Sequence, residues 1–154
     1  MEIPQTAIWG PHLWTILHSA AERIGTHILK RLPQEESRIW AGLLTSLQYT
    51  LPCPLCKKHY KEYSSKHKIV SFTKESIRNW LFTLHANINQ QLNKENILTI
   101  ENISELYSKP FDFTAHYSII YKQMKQALRI GWSSHEDINR TIRFFEEMKR
   151  FYAF

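Results

Sequence analysis

The stretch Leu51-Pro-Cys-Pro-Leu-Cys holds the only two cysteines of a 154-residue chain, Cys53 and Cys56. A Cys-x-x-Cys pair can bind a metal, exchange a disulfide with another thiol, or pack as two small apolar groups. Zinc would have to recruit His59 and His67. Closing histidines normally stand three to five residues apart and well downstream, whereas His59 shares a helix turn with Cys56. No metal site is therefore expected. A thioredoxin-like pair follows a strand, and the segment before Cys53 reads as helix. The prolines separate what remains. Pro52 stops the preceding helix and Pro54 falls at the first position of the next, so Cys53 sits near an N-cap with both sulfurs in the first turn. Unpaired N–H groups and the helix dipole favour a thiolate there. The spacing points to a catalytic dithiol/disulfide centre made of Cys53 and Cys56.

Such a pair needs an acceptor for two electrons, and a flavin would serve. No G-x-G-x-x-G fingerprint is present, so a flavin would need a cradle of aromatic, His and Asn side chains on helices. Trp14 and His18, four residues apart, share one helix face, as do His85 and Asn89. Lys94 follows at the end of the second of these helices. Taken singly, each of these side chains has an ordinary structural use, as core or as a hydrogen-bonded histidine.

The elements that must position them are helices. Apolar residues at Leu13, Ile16, Leu17, Ala20 and Ile24 mark one from Pro11 to about Gly25. A second runs from Pro33 or Gln34 to Leu51 with Glu35 and Glu36 in its first turn. A third starts at the cysteines and reaches about Ser64, and a fourth spans about Thr73 to Asn93. A short helix near Glu101 to Ser108 follows, then Phe113 to Ile130, and last Ser134 to Tyr152, announced by Ser133 and Glu136 as a capping box. The fold class is all-α: a four-helix bundle over residues 1–110, with a short fifth helix, and a helical C-terminal extension, 111–154. That extension carries an apolar face of Ile138, Ile142, Phe145 and Met148, suited to packing on the bundle or to serving as an interface.

The net charge of +6 arises from basic residues spread along the chain, so dedicated nucleic-acid or membrane binding is not expected. Two cysteines cannot staple a secreted mini-protein. No apolar run reaches the roughly 20 residues of a membrane span, and residues 1–10 lack the features of a signal peptide. The expected location is the cytoplasm. A non-catalytic helical interaction module with an inert or zinc-bound pair is the rival to a redox enzyme.

Three ordered segments, WGPHLWTILHSAA (9–21), LPCPLCKKHY (51–60) and HANINQQLNK (85–94), closely resemble the signatures of the Erv/ALR family of FAD-linked sulfhydryl oxidases, above all the short forms of large cytoplasmic DNA viruses. The resemblance implies a bundle that holds FAD against the CxxC, oxidises protein dithiols and passes the electrons to O2 to give H2O2. It implies that Cys56 is the flavin-proximal sulfur and Cys53 the outer one, which meets substrate. Trp9, Gly10, Trp14 and His18 would line the flavin, His85 and Asn89 would contact the adenosine side, and Lys94 would lie near the phosphates. A homodimer through the first two helices is implied as well, working in host cytoplasm at viral assembly sites or in the virion. Ala86 and Asn93 stand where many cellular relatives have Asn and Gly. The tryptophan that stacks on adenine has no clear counterpart, with Ile100 or Tyr107 in its region. Without a third cysteine there is neither a shuttle nor a stapling disulfide, so Cys53 must meet its protein substrate, or a thioredoxin-like carrier, directly.

Overall fold

The computed structural model describes residues 3–25, 33–96 and 98–154. Among them are seven helices and no strand: α1 (Thr6–Ala21), α2 (Pro33–Thr50), α3 (Pro54–Lys66), α4 (Lys74–Gln91), α5 (Ile100–Tyr107), α6 (Phe113–Arg129) and α7 (His135–Tyr152). The chain is all-α, as its periodicity predicts. No described helix is long and apolar enough to cross a membrane.

Most boundaries fall within a few residues of the sequence expectation, and two differences have identifiable causes. Helix α1 starts five residues before Pro11, which therefore lies inside it. The proline deprives only the Ala7 carbonyl of its partner, and Ala7 is exposed, where water can satisfy that group. The cap of α7 is Ser134, whose side chain accepts from the Asp137 N–H at 3.1 Å, rather than Ser133 with Glu136. Ser133 is occupied elsewhere. Its hydroxyl donates to the Tyr49 carbonyl at 3.0 Å and meets the Lys57 ammonium, which also donates to the Trp132 carbonyl. The turn after α6 thereby clamps the end of α2 and the start of α3. Gly131 makes that turn at φ 82°, with Trp132 N–H bonded to Ala127 O and Gly131 N–H to Leu128 O, a Schellman closure.

Helix α1 packs on α4, α5 and α6, while α2 packs on α3 and most extensively on α7. One apolar core runs through all of this. Ile16, Leu17, Trp40, Leu43, Leu47, Ile77 and Leu81 from α1, α2 and α4 join Ile120, Met124, Ile138, Phe145 and Met148 from α6 and α7. Each side chain of that size stabilises the fold by about 1.5–3 kcal/mol on burial. The α2–α7 contact is also specific. A Cβ built on Gly42 would land on the Phe144 ring, so glycine is what lets that ring lie against the helix backbone. Trp40 Nε1 donates to Tyr152 OH (2.8 Å), which donates to Glu36 (2.7 Å). Thr50, Thr141 and Ser46 form a buried hydroxyl cluster. Helices α1 and α2, the pair on which the resemblance implies a dimer, thus carry α6 and α7 of their own chain.

Candidate redox site

Cys53 caps α3. Its backbone is extended (φ −169°, ψ 117°), its sulfur accepts the Cys56 N–H at 3.1 Å, and Pro54 fills the first helical position, where no N–H is needed. This is the placement the two prolines predict. Both cysteines are free thiols and half-buried. At Cys56 burial outweighs the helix terminus. Desolvation, reinforced by the contact with Cys53, pushes the thiol up to about 12, while a contact with the Thr6 hydroxyl at 3.6 Å works the other way. The expectation that a helix N-terminus lowers both thiols is therefore reversed at Cys56, because its sulfur faces apolar walls.

Those walls enclose a cavity of about 400 Å³. Helix α1 contributes Trp9, Gly10, Leu13, Trp14 and Leu17. Cys53, Cys56 and His59 come from the start of α3, Leu84 and Ile88 from α4, and Lys94 closes the rim. Mostly apolar side chains with a few polar groups on one edge suit a flat organic ligand with a charged tail. Trp9 Nε1 is buried beside the cavity with no hydrogen-bond partner among the described residues. A buried indole N–H normally has one, so this donor is left for a ligand acceptor.

Next to the cavity stands a run of stacked rings. Trp14 and His85 lie 4.0 Å apart and 4° from parallel. His18 Nε2 meets His85 Nδ1 at 2.9 Å, and the His18 ring also stacks on Tyr107 at 4.8 Å. Burial first, and then a neighbouring group, disfavours the proton on each imidazole: His18 is lowered to about 3, with His85 the second cause, and His85 to about 4, with Lys94 the second cause. Tyr107 is the residue that sequence reasoning left open against Ile100. It is brought in by α5, whose capping box of Thr99 and Asn102 sets the helix start, and by Arg23, which donates to the Tyr107 carbonyl at 2.8 Å.

Trp9, Gly10, Trp14, Cys53, Cys56 and Lys94 thus share one cavity, and His18 and His85 flank it. Asn89 is not on its wall; it pairs weakly with Asn96 at 3.5 Å, and its carbonyl accepts the Lys94 N–H at 2.8 Å. That last bond explains Asn93. The end of α4 is a second Schellman closure, with Asn93 at φ 55° and its N–H on Gln90 O. Asparagine is among the few residues besides glycine that take this conformation readily. The four residues weighed for zinc do not converge. His67 caps the far end of α3 and stacks on Tyr63, and among the described residues no three His, Cys, Asp or Glu side chains are grouped to hold a metal ion.

The helical bundle thus sets two free thiols at a helix N-terminus against an apolar cavity walled by tryptophans, with room for a planar cofactor. The sequence profile of the Erv1 / Alr family matches residues 11–111, and the chain belongs to that family. Similar proteins include the FAD-linked sulfhydryl oxidases of Kenyan, Malawian and Namibian isolates of African swine fever virus. Each is 25% identical to this chain over 115 residues, covering 71% of this chain and 87% of the relative. No solved structure matches significantly.

Proposed function

We propose that this chain is an FAD-linked sulfhydryl oxidase that makes disulfide bonds in protein substrates. The observation that carries the reading is the cavity, which lays Cys53 and Cys56 against Trp9, Gly10 and Trp14 with a lysine at the rim. These residues fit FAD. The apolar walls suit an isoalloxazine, the unpaired Trp9 N–H offers a donor, Lys94 suits a pyrophosphate, and the His18, His85 and Tyr107 rings suit stacking on the adenine.

In turnover a substrate thiolate attacks Cys53 of the Cys53–Cys56 disulfide and displaces Cys56. A second substrate thiolate then displaces Cys53, leaving one substrate disulfide and two protein thiols. FAD, held by Trp9, Gly10, Trp14 and Lys94, would supply the acceptor for that electron pair, with O2 as the final oxidant and H2O2 as the product. The chain's own task is to hold Cys56 inside the cavity wall and to leave Cys53 reachable. Leu55, between the two cysteines, is 60% exposed, and Leu92, on the same cavity, is 51% exposed. Apolar surface beside the redox pair favours a protein partner, either the substrate itself or a thioredoxin-like carrier. A homodimer would have to use the faces of α1 and α2 that α6 and α7 leave open, where Ile8 and Tyr49 are exposed. The work belongs in the cytoplasm, where thiols are otherwise kept reduced.

The test is the anaerobic absorption spectrum of the purified protein before and after dithiothreitol. Flavin bands that bleach with thiol and return with air are expected, and Cys56→Ser should retain the flavin while losing the bleaching. A colourless protein that takes up no added FAD would sink the reading.

A further inference from the structure

Helix α1 begins with no side-chain cap of its own: Gln5, at the N-cap, makes no such bond. The next residue, Thr6, is turned instead toward the redox pair. Its Oγ1 lies 3.6 Å from Cys56 Sγ, across 50 residues of sequence. Its methyl lies over the one position of α1 without a side chain, since Thr6 Cγ2 is the nearest heavy atom to a Cβ built at Gly10, at 3.7 Å. With the methyl seated there, the remaining branch of a stiff β-branched side chain points at the sulfur. Thr6 is also on the wall of the cavity that holds Cys53 and Cys56.

We propose that the Thr6 hydroxyl is a catalytic hydrogen-bond donor that stabilises the Cys56 thiolate and so sets how much of it is present. A thiolate sulfur can only accept, so when Cys56 loses its proton the hydroxyl must donate; toward the neutral thiol it can accept instead. A hydroxyl serves both states by rotating, which a backbone N–H cannot do. The bond matters because little else on that wall offers help. The other titratable groups lining it are Cys53, His59 and Tyr60 of α3 and Lys94 after α4. Cys53 opposes ionisation of Cys56, and burial opposes it more strongly, whereas Thr6 is the side chain that favours it. A hydrogen bond to a charged group shifts such an equilibrium on the order of ten-fold.

The inference rests on the reading of Cys56 as the reacting inner sulfur, but its test does not depend on turnover. In the flavin-loaded protein carrying Cys53→Ser, which leaves one thiol, the rate of iodoacetamide alkylation at Cys56 is compared at fixed mildly alkaline pH. Thr6→Val, with a methyl in place of the hydroxyl, should slow alkylation about ten-fold. Thr6→Ser should restore most of the rate. Equal rates in Thr6→Val and the parent would overturn the proposal, and so would equal slowing in Thr6→Val and Thr6→Ser, which would mark a packing role. If Thr6→Val does not fold, Thr6→Ala replaces it in the same comparison. Absence of oxidase turnover in the native chain would defeat the functional reading and leave this ratio intact.

Discussion

His18 Nε2 lies 2.9 Å from His85 Nδ1, with Trp14 stacked on both rings and Tyr107 stacked on His18. One ring must donate and the other accept, which two neutral imidazoles do without any charge entering the bundle. Burial enforces that state, with His18 lowered to about 3 and His85 to about 4.

Acid should therefore unfold this protein through that pair. In the unfolded chain both histidines take up protons near pH 6.5, while in the folded chain they resist until about pH 4 and below. The unfolded state binds more protons across that window, so stability present above pH 6.5 is lost as pH falls toward 4. The urea midpoint should drop between pH 7 and pH 5, and His18→Gln with His85→Gln should flatten the slope. A double variant with the parent's slope would show that other groups drive the acid response.

Asn93 makes a cheaper probe of the cavity rim. Its φ of 55° closes α4 and fixes where Lys94 leaves the helix. Asn93→Gly should be tolerated with flavin content unchanged. Asn93→Val forces a β-branched residue into the left-handed region, at about 1–2 kcal/mol, and should lower both the melting temperature and the flavin retained through gel filtration. Equal behaviour of the two variants would show that the closure does not set Lys94.

The extension from residue 111 can be probed at one contact. Gly42→Ala places a methyl on the Phe144 ring, and overpacking of this kind costs about 1–3 kcal/mol. A clear fall in melting temperature is expected, and deletion of 111–154 should give insoluble or flavin-free protein, because Ile120, Met124, Phe145 and Met148 share the bundle's core. A soluble, yellow, active truncate would mean that α1 to α5 suffice.

Much of this was legible in the residues. Helical periodicity located the long helices, and the prolines around the cysteines placed α3, which buries only Tyr60 and Tyr63. The two prolines placed Cys53 as a cap. What escaped were features that depend on distant chain segments meeting. The depth at which Cys56 is buried is decided by α1 and α4, not by its own helix. Ser133 was misread as the α7 cap because its competing partners, Tyr49 and Lys57, lie more than 70 residues away. Asn89 shares a helix face with His85 by spacing, yet the turn at Asn93 engages its carbonyl, and its side chain reaches Asn96. Thr6 carried no local signal at all, since its relation to Cys56 exists only once α1 and α3 are packed.

Tyr107 tests how a cofactor could be held beside the His18 and His85 rings. Its ring stacks on His18, its hydroxyl is raised above the usual phenol range by burial, and its backbone is fixed by Arg23. If the ring works by stacking, its area matters and its hydroxyl does not. Tyr107→Phe should then keep the native affinity for FAD. Tyr107→Ala should weaken it about ten-fold, the effect expected of one lost aromatic stack. Fluorescence titration of the flavin-stripped protein with FAD reads both. The same titration with FMN supplies the control, because a ligand without the adenine should bind the alanine variant and the native chain equally well. A Tyr107→Ala loss that is as large for FMN as for FAD would place the residue on the flavin side or in the fold, and not against the adenine.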